Sequence, residues 1–359
     1  MRTPVPSLSV DRMRLNDSAL ASAWTALQDR GAVSTPFLSH QWYGAMAEFP
    51  SLIASAEALV CRRGDAIIGL LPVETTVQDG LRTLGVAGWH WFTPDHLDIV
   101  AAPEDRHEVA QHIATHVAGR CDWDALDFDA LAEGSPLSPA LRTALRLPRF
   151  VVRPDEAVPI RSRKVAVGEG LPFGKWSRKR LRRTLRLIEQ QGGTLEWVSD
   201  PDQVPGLLDA LMSLHRSRFG DRSTVFATPD RRGFHRIAAR AMSGAGAARI
   251  ARLKVGDVDA ALMYVLSWRS TAYLYSSGLQ PEILQSAGSV LRDWVLTEAA
   301  SEGFYTVDFL RGDQGWKDHL ADTVSQDTRV RAVRPTLRVL ATGIERTLVR
   351  RHRRRVCRP

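Results

Sequence analysis

Hydrophobic and polar positions along this chain switch period repeatedly, and each switch marks an element. Leu59–Cys61 and Ile67–Val73 flank Gly64–Asp65 and read as two strands around a tight turn. The run from Ile250 to Val265 reads the same way around Gly256–Asp257. Trp123–Phe128, with Asp127 inside it, is echoed by Tyr305–Phe309, with Asp308 inside it. Paired echoes at similar spacing point to a diverged duplication.

The second half is regular. Thr194–Val198 reads as a short strand, and Val204, Leu207, Leu208, Leu211 and Leu214 follow at helical spacing, with Gly220 just past the end. A helix over about 229–242 is predicted next, then strands near 247–254, 258–267 and 271–277. Gly288 opens a helix whose apolar side carries Val290, Leu291, Trp294, Val295 and Leu296, and Val307–Leu310 returns as a strand. The first half shows a similar order, with helices near 16–30, 39–49 and 104–118. Prolines 148, 154, 159 and 172 separate the halves. The pattern predicts an α/β chain of tandem domains, each a mixed, mostly antiparallel sheet flanked by helices. The domains are expected at 1–160 and 161–334, with a tail at 335–359.

Composition adds constraints. A chain of 359 residues exceeds what one core usually organises. No run reaches the roughly 18 apolar residues of a membrane span, and the N-terminus lacks the apolar run of a secretory signal. Cys61, Cys121 and Cys357 match neither a disulfide framework nor a zinc pattern. The expectation is a cytoplasmic protein without a metal. The net charge of +8 is local: Arg329–Pro359 carries eleven arginines against the single acid Glu345, and Lys175–Arg186 carries seven cations and no acid. Ser177 can cap a helix there, with Leu181, Leu185 and Ile188 on one face and the cations on the others. That helix and the tail are expected to meet anions, and an anionic inner-membrane surface is the expected partner of the tail. Nucleic acid is a weaker expectation for these stretches.

More specific strings narrow the picture. Phe37–Trp42, Gly288 at the late helix, and Val307-Asp308-Phe309-Leu310-Arg311-Gly312-Asp313 followed by Trp316-Lys317 resemble the double-domain GNAT acyltransferases. These include the CelD/BcsL-type cellulose-biosynthesis acetyltransferases and, more distantly, the FemAB peptidyltransferases. The resemblance implies an acyl-CoA, acetyl-CoA in the first instance, as donor. Its site is the loop Gln285, Ser286, Ala287, Gly288 and Ser289, where backbone N–H groups and the helix dipole favour a pyrophosphate. Val290 stands where that loop ordinarily has Gly or Ala, and an ordinary helix cap is the alternative. A small-molecule or saccharide acceptor, with an amine or hydroxyl from cell-envelope or exopolysaccharide chemistry, is implied by the resemblance alone.

Asp308 is an acid within an apolar strand, so it either takes the acceptor's proton or anchors a loop. Tyr275 either protonates the leaving thiolate or simply packs. Lys317 either binds an anionic group or lies solvated, and Arg311 and Asp313 accompany it on the acceptor side. Trp89–Asp98 gathers aromatics, two histidines and two acids. It lacks metal-ligand spacing, so it reads as an acceptor-side loop, with Asp98 the candidate contact. The implied mechanism is direct transfer: backbone donors polarise the thioester carbonyl, the acceptor attacks, and the thiol leaves. Two rivals remain: a FemAB-like transferase using aminoacyl-tRNA, and a non-catalytic protein that docks on anionic surfaces.

Overall fold

The computed structural model describes residues 7–165, 175–220, 223–312, 314–339 and 341. The first half holds β1 (Leu8–Arg14), α1 (Ser18–Asp29), α2 (His40–Ala47), α3 (Pro50–Ile53), β2 (Ala56–Arg63), β3 (Ala66–Gln78) and β4 (Leu81–Val86). It continues with α4 (Trp89–Phe92), β5 (Val100–Ala101), α5 (Arg106–Gly119), β6 (Ala125–Leu131), α6 (Leu137–Ala144) and β7 (Val151–Val152). The second half opens with β8 (Glu156–Lys164), α7 (Lys175–Gln190), β9 (Thr194–Val198), α8 (Val204–Phe219) and α9 (Pro229–Gly244). Then come β10 (Ala248–Val255), β11 (Val258–Trp268), β12 (Thr271–Leu279), α10 (Ala287–Ser301), β13 (Thr306–Asp308), α11 (Gly315–Leu320) and β14 (Thr323–Val333).

Two compact units result. The first joins Met1–His40, Leu52–Val158 and Asp327–Pro359; the second joins Gln41–Ser51 and Pro159–Gln326. Two segments therefore cross the boundary expected from the sequence. Residues 41–51 go with the second unit because Trp42 is fully buried there, edge-on to Phe234 at 4.9 Å and to Tyr275 at 5.8 Å.

In the first unit the strand order is β1-β2-β3-β4-β6-β14, with β5 added to β3 and β7 to β14. Asp17 caps α1 by accepting the Ala19 N–H at 2.9 Å, and Leu20, Trp24 and Leu27 bury one face. The second unit has the order β8-β13-β12-β11-β10-β9. Thr228 caps α9, with Pro229 at its first position. Val290, Leu291, Val295 and Leu296 of α10 enter the core, each fully buried side chain stabilising by roughly 1.5–3 kcal/mol. Both units are mixed, mostly antiparallel sheets flanked by helices.

The duplication is visible in detail. The β2–β3 ladder slips one register between Cys61 and Arg62, and the β10–β11 ladder slips between Leu253 and Lys254. Each bulge lies three residues before its turn glycine, Gly64 (φ 60°) or Gly256 (φ 58°), where left-handed backbone favours glycine.

Helix α7 begins at Lys175, so Ser177 lies within it rather than capping it; Leu181 and Ile188 are buried and Lys179, Arg182, Arg183 and Arg186 exposed. Gly192 (φ 70°) ends it, and the Gly193 N–H returns to the Ile188 carbonyl at 2.8 Å. The side chains of Ser177 and Arg178, the tail beyond residue 341, and Cys357 lie outside the described residues. No helix among the described residues is long and apolar enough to cross a membrane.

Candidate active site

In the second unit, β12 and β13 run parallel but pair only through Thr271–Tyr273 and Thr306–Asp308. The ladder stops there because the chain after β13 turns away. Asp308 Oδ1 accepts the Leu310 N–H at 2.7 Å, Leu310 has φ 57° and Gly312 has φ 119°. Strand β12 continues to Leu279, so the two strands part. On its other edge, Tyr264 pairs with Ser276 and Val265 with Leu274, leaving Tyr275 as the extra residue of a bulge. A bulge re-aims a side chain and often adjoins a functional site.

Where the strands part lies a cleft of about 230 Å³. Tyr275 and Ser276 line it from β12, Phe309 and Arg311 from the turn after β13, Lys317 from α11, and His215 from α8. A second cleft, of about 460 Å³, is lined by Gln285, Ala287 and Gly288 at the start of α10 and by Leu214, Ser217 and Arg218 of α8. Arg218 lines both.

The start of α10 suits an anion. Its first turn holds no acid, and Ser286 precedes it as the cap residue. The Ala287 N–H donates to the Leu284 carbonyl and the Val290 N–H to Ser286, while no backbone carbonyl among the described residues accepts from Gly288 or Ser289. Val290 is buried in the core, so its bulk stays out of the cleft. Gly288 has a packing reason as well, since a Cβ there would lie 2.9 Å from the Leu279 side chain.

The other sequence candidates separate by environment. Tyr275 sits in a ring cluster, 5.4 Å from His235 and 5.6 Å from Tyr264. Asp308 is 6% exposed, its carboxylate engaged by the turn it holds. Lys317 is 4% exposed rather than solvated; its ammonium donates to the Leu310 carbonyl at 3.0 Å and to Arg311. It therefore braces the turn that lines the cleft. Asp313 lies outside the described residues.

Asp98 belongs to the first unit and is completely buried. It accepts from the Ile99 N–H and the Ser135 hydroxyl, both at 2.7 Å, and from Arg106. Burial pushes its carboxyl up, against the pull of Arg106 and these donors. In the same loop, His96 Nδ1 lies 2.9 Å from Asp327. Among the described residues no cluster of His, Cys, Asp and Glu could hold a metal ion.

The corresponding place in the first unit is filled by the chain itself. Strands β4 and β6 pair in parallel only at Thr83–Leu84 with Ala125–Leu126. Beyond that point Leu97 bridges Leu131, donating its N–H to the Ala130 carbonyl at 2.7 Å and accepting from Ala132 at 2.8 Å. Val100–Ala101 then pairs with β3. The following helix, α5, is preceded by Asp105, whose carboxylate is held by Arg63 at 2.9 Å, and carries Glu108 in its first turn. An anion is disfavoured where acids already stand.

Two residues of the second-unit clefts, and the serine that contacts one of them, carried no signal in the sequence. His215 and Arg218 sit on α8 between its apolar positions and read as ordinary helix-surface residues. Ser223 lies beyond the helix end and comes within 2.9 Å of His215 Nδ1 only in three dimensions. Burial, then Arg218, lowers the His215 pKa to about 4, so its ring is neutral at pH 7. A fourth position, Gly278, sets how closely α8 approaches β12: a Cβ there would lie 2.6 Å from the Leu211 carbonyl oxygen.

Comparison with known proteins agrees with this architecture. Residues 176–318 match the family model described as acetyltransferase (GNAT) domain. That match lies within the second unit, which has the fold of a GNAT domain. No curated protein matches the chain. Among solved structures, the C-terminal domain of a protein described as a lysylphosphatidylglycerol synthetase of Agrobacterium fabrum is similar, with TM-score 0.58 at 11% identity over 92% of this chain and 95% of that one. L-PGS of Bacillus licheniformis gives TM-score 0.58 at 12% identity over 91% and 96%. FemX gives the same TM-score and identity over 89% and 96%. At such identities these likenesses establish the fold.

Proposed function

We propose that the chain is an acyl-CoA-dependent acyltransferase of GNAT type, transferring an acyl group, acetyl in the first instance, directly to an amine or hydroxyl. The observation that carries this reading is the parting of β12 and β13 beside the acid-free start of α10. The opened edge of β12 can hold an extended thioester arm, and the N–H groups of Gly288 and Ser289 can meet its pyrophosphate. Tyr275, which lines the cleft, is the proposed proton donor to the leaving thiol. A thiol with a pKa near 8.5 needs only modest help. The acceptor is proposed to be a cell-envelope or exopolysaccharide precursor, as in the CelD/BcsL-type enzymes that the sequence resembles. The solved structures named for lysylphosphatidylglycerol synthesis and FemX support envelope chemistry as the setting.

A second reading has one observation in its favour. The exposed Lys179, Arg182, Arg183 and Arg186 of α7 would suit an RNA-borne donor, as in a FemAB-like transferase. Titrating acetyl-CoA with and without competing tRNA separates the two, alongside thiol release from acetyl-CoA against envelope amino sugars. Saturable acetyl-CoA binding that tRNA leaves unchanged supports the acyl-CoA reading. Binding of tRNA without acetyl-CoA supports the other.

A further inference from the structure

Besides Tyr275, the cleft at the strand opening is lined by a side chain suited to carry a proton that neither the motif strings nor the family match assigns. His215 sits in the last turn but one of α8, on the cleft wall facing Tyr275 of β12 and the turn after β13. Its ring is fixed from three sides. Phe219 lies tilted at 4.6 Å, Phe226 stands edge-on at 5.1 Å, and Nδ1 is 2.9 Å from the Ser223 hydroxyl. Ser223 is itself buried, and its N–H donates to the Gly220 carbonyl at 3.0 Å, so the hydroxyl has little freedom to move. A ring nitrogen oriented by a buried partner, with the other nitrogen left for the substrate, is the arrangement general bases use.

Granted the acyl-CoA reading above, we propose that His215 is the catalytic residue that takes the acceptor's proton, and that Ser223 is its positioning residue. The acceptor's nitrogen or oxygen lone pair forms the new bond to the acyl carbon, and the carbon–sulfur bond breaks with its electron pair leaving on sulfur. The acceptor's proton moves to His215 Nε2, and the thiolate is protonated from the Tyr275 hydroxyl or from water. Asp308, by contrast, spends its carboxylate on the Leu310 N–H.

The surroundings keep the ring in its proton-accepting form. Among the described residues, the charged groups lining the cleft are Arg218 on the same helix, Arg311 from the turn after β13 and Lys317 from α11, and the titratable hydroxyl is that of Tyr275. Burial and the cationic Arg218 oppose a positive charge on His215. With water as the acceptor, which does not itself titrate in this range, the rate should therefore hold as pH falls from 8 to about 5 and decline only below that, through the lowered pKa of about 4. An ordinary histidine base would lose activity near 6.5.

The test uses the full chain, coenzyme A binding by calorimetry, and thiol release from acetyl-CoA in water and with glucosamine as the amine probe. His215→Gln should lower thiol release by about 10²–10⁴-fold while coenzyme A binds as in the wild type. Ser223→Ala, which keeps the ring but frees it, should lower kcat with KM unchanged. Added imidazole should partly restore His215→Ala. Thiol release within a few-fold of wild type in a His215→Gln protein that binds coenzyme A would overturn the proposal. So would a wild-type protein that binds coenzyme A and releases no thiol. Failure of the wild type to bind coenzyme A at all would instead refute the donor reading, and the role of His215 with it.

Discussion

Replacing Gly278 with alanine tests the geometry on which the clefts depend. An added Cβ would lie 2.6 Å from the Leu211 carbonyl oxygen, 2.8 Å from Leu214 Cβ and 3.1 Å from Leu211 Cα. Two of these atoms are helix backbone, so α8 must move away from β12 as a body. Overpacking of this kind costs typically 1–3 kcal/mol. For a protein of this size, about 2–4 °C of Tm is lost per kcal/mol, so a fall of roughly 2–12 °C is expected by calorimetry. His215 follows Leu214 directly in the helix, so thiol release per folded molecule should fall too. Gly206, near the start of the same helix, is the control: nothing lies within 4 Å of its Cβ position. Gly206→Ala should leave Tm unchanged or raise it, by up to about 1 kcal/mol of helix propensity. A Gly278→Ala protein melting with the wild type would refute the close approach of α8 to β12.

Two further outcomes follow from the first unit. Burial pushes the Glu74 carboxyl from 4.5 up to about 7, so the folded state keeps a proton that the unfolded state has released; stability should fall as pH rises across that window, by about 3 kcal/mol in urea titrations, and Glu74→Gln should flatten the slope. Because residues 97–101 pair with β6 through Leu97 and with β3 through Val100–Ala101, occupying the place a donor would need, calorimetry should find one coenzyme A per chain, and two per chain would contradict the self-filled gap.

Much of the fold was legible because its signals are local. Apolar runs around Gly64–Asp65 and Gly256–Asp257 predicted both hairpins, and the apolar stripes of α8 and α10 predicted their helices to within a few residues. The start of α10 was legible for the same reason, as small residues opening a helix. What escaped depends on distant contacts. Val307–Leu310 reads as one strand, but the Asp308 cap on Leu310 ends it at Asp308. Gly278 looks like any strand glycine until α8 is laid on it. Trp42 offers no hint in sequence that it packs on Phe234. His215 and Ser223 are separated by a helix end whose direction no periodicity encodes.

The central claim is that a donor lies along β12 and at the start of α10. Hydrogen exchange read by mass spectrometry, with and without saturating acetyl-CoA, tests it most directly. The account predicts slowed exchange in 274–279 and 286–290, with little change in 97–105 of the first unit. Protection confined to residues outside those two segments of the second unit would contradict it.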